Sequence, residues 1–191
     1  MIRTDRLLLR RFRASDLAAF AQLNADARVT EFLAGALSRD ESDALVDRIE
    51  AHFDEHGFGL FALEITGVAP FAGFVGLSVP RFEAAFTPCV EIGWRLAAEH
   101  WGSGYASEAA RAVLAHGFDV VGLDEIVSFT VPANTRSRRV MEKLGMSRRP
   151  EDDFDHPALP EGHPLRRHVL YRISASPRSR SSQKRRTELI R

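Results

Sequence analysis

The spacing of apolar residues changes from helical to extended at His56-Gly57, and no other feature constrains the fold as much. From Ser38 to this point apolar residues recur at helical intervals, and Glu41 follows Ser38 at capping-box spacing. Beyond it lie two short apolar runs, 59–65 and 71–79, joined by a turn that contains glycine and proline. This pattern predicts a helix followed by a β-hairpin.

The rest of the chain also mixes the two periods. The mixture predicts an α/β (α+β) domain with a mixed central sheet of about seven strands flanked by helices. The predicted strands are 6–10, 59–65, 71–79, 90–96, 125–131 and 169–173. The predicted helices are 17–23, 38–56, 104–118 and 134–144, and residues 147–168 are predicted to form a long surface loop.

Length and composition fit one such domain, residues 1–173, followed by a basic tail, residues 174–191. The 191 residues are 45% hydrophobic, which is enough for one core. The tail holds six basic residues and one acidic residue, and subtracting these from 26 of each sign leaves 20 against 25. A mildly acidic body is not typical of nucleic-acid binding, and the Ser- and Arg-rich tail is predicted to be disordered.

The sequence also bears on the compartment. Cys89 is the single cysteine, so an intrachain disulfide is excluded and a reducing compartment is expected. No apolar run approaches the length of a membrane span. The Arg-rich start contains Asp5 and Asp16, unlike a transit peptide. We therefore expect a cytoplasmic protein with no membrane partner.

The first candidate binding motif runs from Trp101 to Ala109, between a predicted strand and a predicted helix. Gly102 and Gly104 allow a sharp turn that brings backbone amides to the start of the helix, where a pyrophosphate would bind. Ser107 stands where a dinucleotide fingerprint needs a third glycine, and the Gly-Lys pair of a P-loop is absent. The alternative is an ordinary glycine-rich turn.

The second motif runs from Pro132 to Met146. Asn134 is placed to cap a helix, and Ser137 lies three residues further on the same face, which Arg138 and Met141 extend. The alternative is an amphipathic helix with a solvated basic side. Its basic residues are Arg136, Arg138, Arg139 and Lys143.

Together with strand 90–96, these motifs resemble the GNAT superfamily of acetyl-CoA-dependent N-acetyltransferases. The opening segment 4–10, followed by Asp16, is similar to the branch that includes the Rim-type ribosomal-protein N-terminal acetyltransferases. The resemblance covers residues 2–173 and implies a single GNAT-like domain. Trp101 departs from the many members that have Gln or Arg there, which removes one phosphate-binding side chain.

The resemblance implies a site for acetyl-CoA as co-substrate. Strand 90–96 would splay from its neighbour and pair with the pantetheine arm, the glycine loop would hold the pyrophosphate, and Asn134 would hydrogen-bond the arm. An amide near Ile92 or Gly93 would stabilise the oxyanion, and Ser137 would donate a hydrogen bond to the departing thiolate. The implied cofactor-binding residues are Ile92, Trp94, Leu96, Gly102, Ser103, Gly104, Tyr105, Ala106, Ser107, Asn134 and Arg138.

Direct transfer also needs a neutral amine. Deprotonation at pH 7 costs about 4.6 kcal/mol for a lysine side chain but only about 1 kcal/mol for an α-amine. Glu91, beside the expected oxyanion site, is the candidate base, acting with Ser137 as the second catalytic residue. The alternative is that Glu91 faces solvent or pairs with Arg95.

The late loop contains histidines and aspartates that match no zinc pattern, so no metal site is predicted and the loop is interpreted as lining the acceptor site. These residues are Asp153, Asp155, His156, His163 and His168.

Four further residues have a structural and a functional interpretation. Cys89 has no clear histidine partner, so a structural thiol is favoured over an acyl carrier. Phe32, Leu33 and Phe58 would shape an acceptor pocket or belong to the core.

The sequence therefore predicts an acetyltransferase that transfers the acetyl group directly to an amine, without a covalent enzyme intermediate. The alternatives are a catalytically silent acyl-CoA sensor, or a domain that its basic tail docks on RNA. The acceptor, a protein N-terminal amine or a small-molecule amine, and the oligomeric state are left open.

Overall fold

A computed structural model of the protein describes residues 1–176, which form a mixed sheet with helices on both faces. The strands are β1 (Ile2–Arg3), β2 (Leu7–Arg10), β3 (Leu60–Ile65), β4 (Ala69–Ser78), β5 (Glu91–Leu96), β6 (Glu125–Thr130), β7 (Ser147–Arg148), β8 (Phe154–Asp155) and β9 (Arg167–Ser174). The helices are α1 (Leu17–Ala25), α2 (Ala27–Thr30), α3 (Arg39–His56), α4 (Tyr105–His116) and α5 (Thr135–Lys143).

The strand order is β1-β2-β3-β4-β5-β6-β9-β7, with β8 added on β9. Every pairing among the described residues is antiparallel except that of β5 with β6. The predicted fold class is confirmed. The sheet has nine strands instead of about seven because β1, β7 and β8, with two residues each, are too short to show a period.

Local signals place α3 where the sequence predicts it. The Ser38 side chain accepts from the Glu41 amide at 3.2 Å, and the Glu41 carboxylate accepts from the Ser38 amide at 2.8 Å. Gly57 ends the helix in the left-handed conformation, with φ of 75°. The short helix α2 was not predicted, since four residues give no period.

The two faces of the sheet carry different helices. On the first, which we call the α1 face, Phe20 of α1 packs edge-on against Phe74 of β4 with 5.9 Å between ring centroids. On the other, the α4 face, Gly117 at the end of α4 packs tightly against the sheet: a Cβ added to it would lie 2.8 Å from Ile126 and 3.1 Å from Leu77. The core lies between the sheet and these helices.

The folded body extends past the predicted boundary at residue 173. β9 includes Ser174, and the buried Ala175 donates its amide to the carbonyl of Asp124 at 2.8 Å. The remainder of the predicted disordered tail, residues 177–191, lies outside the described residues. Within residues 1–176 no helix combines the length and apolar character of a membrane span.

Candidate active site

The strands β5 and β6 separate after one ladder pair. Glu91 pairs with Val127, and the Val127 amide donates to the Val90 carbonyl at 2.9 Å, but no further β5 residue has a partner in β6. Backbone groups alternate along a strand, so those of Trp94 point into the opening. Gly93 pairs with Gly76 and faces β4, so it offers no amide to the opening, contrary to the expectation for the oxyanion site.

A cavity of about 310 Å³ occupies this opening, between α2, β5, the start of α4 and one side of α5. It brings together nine of the predicted site residues: Trp94, Leu96, Gly102, Gly104, Tyr105, Ala106, Ser107, Asn134 and Ser137. Four others are not in its lining: Glu91, Ile92, Ser103 and Arg138. Phe32 and Leu33 line it, whereas Phe58 is 6% exposed and belongs to the core.

The start of α4 presents unpaired amides to the cavity. Gly102 and Gly104 have φ of 79° and 83°, which side-chain-bearing residues rarely adopt. Gly104 occupies the N-cap position and has no side chain to bond the first amides of the helix. The first helical hydrogen bond runs from the Glu108 amide to the Gly104 carbonyl. The amides of residues 105–107 therefore point outward beside the positive end of the helix dipole, an arrangement that binds anions.

An ion-pair network from the N-terminal segment holds this loop in place. Arg6 donates through Nε to Glu108 at 2.7 Å and through Nη1 to the Ser103 carbonyl at 3.1 Å. Thr4 donates its hydroxyl to the same carboxylate at 2.6 Å, and the Arg6 guanidinium lies over the Tyr105 ring. Burial raises the pKa of Glu108, but these hydrogen bonds outweigh it and lower the pKa. Sequence reasoning noted segment 4–10 but assigned it no contact.

Asn134 positions the start of α5. Its side-chain oxygen accepts from the Ser137 amide at 3.1 Å, as the sequence predicts for a cap, and its Nδ2 donates to Thr130 at 3.1 Å. One Nδ2 hydrogen remains for a ligand. The Ser137 hydroxyl faces the cavity, and no partner for it occurs among the described residues.

The cations of α5 divide between two sides of the helix. Arg139 and Lys143 line the cavity and form no ion pair within residues 1–176, whereas Arg136 pairs with Glu31 at 2.9 Å. Arg138 points away from the cavity: it donates to the Pro132 carbonyl at 3.1 Å and to the Tyr171 hydroxyl at 3.4 Å. The geometry thus offers Arg139 and Lys143 to an anion in place of Arg138.

Glu91 lies at the paired end of the opening, on the α1 face. It is half-buried, and burial raises the pKa of its carboxyl to about 8. It forms no ion pair with Arg95, whose guanidinium donates to Asn24 instead. The pKa of the nearby Cys89 thiol rises to about 11, through burial first and the Glu91 charge second, which disfavours an acyl-carrying thiolate.

Six half-buried rings form a cluster beside Glu91. Glu91 pairs with Val127, and Phe129, two residues further along β6, points to the same face of the sheet as both of them. The shortest distance between ring centroids in the cluster is 4.6 Å, between Phe82 and His156. Burial lowers the pKa of both histidines in it. The members are Phe82, Phe86, Phe129, Phe154, His156 and His168.

The remaining polar residues of the late loop are used within the loop. Asp153 pairs with Arg148, Asp155 lies 3.4 Å from Arg167, and the His163 ring accepts from the Leu165 amide. In the part of the chain that the structure describes, no group of three His, Cys, Asp or Glu side chains is arranged to hold a metal ion.

Comparison with known proteins supports the same interpretation. The family described as "Acetyltransferase (GNAT) domain" matches residues 6–147. The Bacillus subtilis uncharacterized N-acetyltransferase YnaD is 30% identical over 165 residues, which cover 85% of this chain and 89% of that protein.

Two solved structures illustrate the shared fold. A GNAT-family acetyltransferase from Bacillus anthracis aligns with a TM-score of 0.74 and 29% identity, over 91% of this chain and 97% of that one. Mycobacterium smegmatis RimJ, solved in complex with CoA-disulfide, has a TM-score of 0.70 and 23% identity over 88% of this chain and 82% of its own, a likeness of fold alone.

Proposed function

Because this chain belongs to the GNAT acetyltransferase family, we propose that it binds acetyl-CoA and transfers the acetyl group directly to an amine. The observation that carries this proposal is the single cavity that joins the opening between β5 and β6 to the start of α4. One ligand with a hydrogen-bonding arm and a phosphate group would occupy both regions.

The phosphates of acetyl-CoA fit the α4 end of the cavity. The unpaired amides of residues 105–107 donate to the pyrophosphate, and Arg139 and Lys143 add charge from α5. Both cations are exposed, so their attraction is screened by salt.

The pantetheine arm fits the open edge of β5. The Trp94 amide and carbonyl serve as donor and acceptor, as a neighbouring strand would use them. The Leu96 carbonyl already accepts from the Trp101 indole at 2.8 Å, whereas its amide is available to the arm. Beyond the paired end, the Trp94 amide is the first that faces the opening, and it is placed to polarise the acetyl carbonyl.

Glu91 acts as the base. With its pKa raised to about 8, the Glu91 carboxylate is a much stronger base than an ordinary glutamate and can take the proton that the amine loses as it attacks. Because Glu91 lies outside the cavity lining, the proton reaches it through a water molecule. The Ser137 hydroxyl donates a hydrogen bond to the departing sulfur, whose pKa of about 8.5 needs only this assistance.

The test combines binding and turnover. Acetyl-CoA is titrated by calorimetry, and thiol release is followed with a panel of amines that includes peptides with free N-termini. We expect saturable binding and thiol release that depends on the amine. Absence of binding contradicts the proposal, and binding without release from any amine would indicate a sensor.

A further inference from the structure

Arg95 is a cation in the cavity that α1 holds in a fixed position. It lies in β5 with its side chain on the α1 face, and its Nη1 donates to Asn24 Oδ1 at 2.5 Å. Asn24 is fully buried and donates in turn to the Ser42 hydroxyl at 2.9 Å. The guanidinium also lies over the Phe74 ring, 5.3 Å from its centroid. Its orientation is therefore set before any ligand arrives.

The charge of Arg95 has no counterpart in the part of the chain that the structure describes. Two other arginines of the same cavity are neutralised, Arg28 by Asp26 at 2.6 Å and Arg136 by Glu31 at 2.9 Å. Arg95 forms no ion pair within residues 1–176, and burial lowers the pKa of its guanidinium to about 10. A partly desolvated guanidinium is costly without an anion, and a planar carboxylate fits it best.

The surface between Arg95 and Glu91 is open. Glu91, Gly93 and Arg95 alternate along β5, so all three face the same side. A Cβ built on Gly93 would meet no heavy atom within 4 Å. The Cα atoms of Glu91 and Arg95 are about 13 Å apart along the strand. Because both side chains are long, the gap between their charged groups can be short enough for a small molecule to span. A carboxyl group and a guanidinium thus lie on the same face of β5 with an uncovered glycine between them; Arg95 lines the cavity, and Glu91 lies beyond its lining.

Acetyl-CoA does not account for this arrangement. Its phosphates belong at the start of α4, near Arg139 and Lys143 of α5, which packs through Tyr171 on the α4 face of the sheet. Arg95 lines the same cavity but carries its side chain on the α1 face, where it is held by Asn24. The pantetheine arm carries no charge. A carboxylate at Arg95 must therefore come from the second substrate.

Resting on the proposed function, we infer that the acceptor is an amino carboxylate: its carboxylate binds Arg95, its chain lies over Gly93, and its amine points toward Glu91, one bridging water molecule away. This disfavours a polyamine, which Arg95 would repel, and a protein N-terminus that does not begin with Asp or Glu, because such a terminus has no carboxylate near its amine. The attack forms the amide bond to the acetyl carbon and breaks the C–S bond; the amine proton passes through water to Glu91, and the sulfur leaves as a thiolate, hydrogen-bonded by Ser137, that then takes a proton from solvent.

The experiment compares α-, β- and γ-amino acids with their carboxamides as acceptors, for wild type and Arg95→Gln. The measured quantity is the ratio of kcat/KM for each acid to that for its amide. Comparing the ratio between the two proteins cancels the difference in amine pKa. We expect the acid to be preferred by wild type, and the ratio to fall about 10- to 100-fold in Arg95→Gln.

Two further variants keep the result interpretable. Arg28→Gln removes a cavity cation that Asp26 already neutralises, so its ratio should match wild type. Arg95→Lys keeps the charge but loses the planar fork, so its ratio should fall in between. If Arg95→Gln fails to fold, the acid-to-amide ratios of wild type and Arg95→Lys decide whether the inference holds.

The outcomes separate the two proposals. Turnover restricted to amines without a carboxylate, or a ratio that Arg95→Gln does not change, overturns the inference about the acceptor alone. A protein that does not bind acetyl-CoA, or binds it and acetylates nothing, overturns the proposed function and this inference with it.

Discussion

At the scale of single residues, burial determines the chemistry of Glu91. The carboxyl ionises near pH 4.5 in the unfolded chain and near pH 8 in the folded protein. A raised pKa stabilises the folded state below about pH 4.5, and the contribution is lost as the pH rises through about 8. The protein thus gives up stability at neutral pH, and the proposed base gains a proton affinity raised toward that of an amine.

Substituting Glu91 by Gln tests this role. Glu91→Gln preserves the size of the side chain, and we expect kcat/KM to fall roughly 10²-fold or more, because general-base catalysis contributes about that much. The pH profile of the wild-type kcat/KM should change slope near pH 8, where the carboxyl deprotonates, and this change of slope should be absent in the variant, which keeps only the rise due to the amine. An accepted amine with a pKa near 10 keeps the two titrations apart. An unchanged rate and pH profile would assign the base elsewhere.

The backbone at Gly104 supports a second prediction. A Cβ there would come no closer than 3.6 Å to Arg6, so the cost of Gly104→Ala comes from its φ of 83° and not from a clash. We expect the first turn of α4 to shift and the Kd for acetyl-CoA to rise about tenfold, since the left-handed conformation costs about 1–2 kcal/mol. Calorimetry measures the change.

Gly67→Ala is the matched control for this substitution. Gly67 has a φ of 73° and lies in the turn between β3 and β4. Its substitution should lower the melting temperature in the same way but leave the Kd for acetyl-CoA unchanged. Equal weakening of binding by both variants would contradict a specific role for the glycine loop.

At the scale of elements, α5 shows how one helix serves two purposes. Met141 is buried, Val140 and Lys143 line the cavity, and Arg138 and Glu142 bond to the Tyr171 hydroxyl of β9. The side toward β9 anchors the helix, and the other side lines the cavity.

This division predicts different effects for neighbouring arginines. The double variant Arg139→Gln/Lys143→Gln should raise the Kd for acetyl-CoA about 3- to 30-fold at low salt, because two exposed charges near the phosphates are lost. The difference from wild type should shrink at high salt. Arg138→Gln, on the same helix, should leave the Kd unchanged. If Arg138→Gln weakens binding as much as the double variant, the orientation of α5 is wrong.

At the scale of the whole molecule, a buried ion pair joins β2 to the start of α1. Arg10 of β2 binds both oxygens of Asp16, at 2.6 and 3.0 Å, and donates to the Pro70 carbonyl at 2.7 Å. The side chains of Arg10 and Asp16 are only 5% and 2% exposed. The pair thus joins β2, the start of α1 and the start of β4 in one network.

Removing one partner of this network should destabilise the whole domain. We expect Asp16→Asn to reduce the free energy of unfolding by up to about 3–5 kcal/mol, because among the described residues it leaves the buried Arg10 only the partly exposed Glu64, at 3.2 Å, as a charged partner. Denaturant unfolding measures the change. Asp54→Asn, which removes the exposed partner of Arg11, should cost less than about 1 kcal/mol. Equal losses would mean that burial of Asp16 has no energetic consequence.

Some of this architecture is encoded over a few residues and could be predicted directly. Ser38 and Glu41 close a capping box, Gly57 ends α3, and Asn134 caps α5, since each bond joins groups within about four residues. The glycine loop before α4 was likewise found from its spacing, because its positive φ angles require glycine.

By itself, then, the sequence determined the order of the elements, their ends and two binding motifs, because periods and caps are local. Only the tertiary structure decided the rest. Arg6 meets Glu108 across 102 residues, and Arg139 replaces Arg138 in the cavity because the packing of α5 on β9 sets which side faces outward. Arg95 acquires its meaning in the same way: its unpaired charge in the cavity depends on which residues of other elements surround it, and no local pattern carries that information.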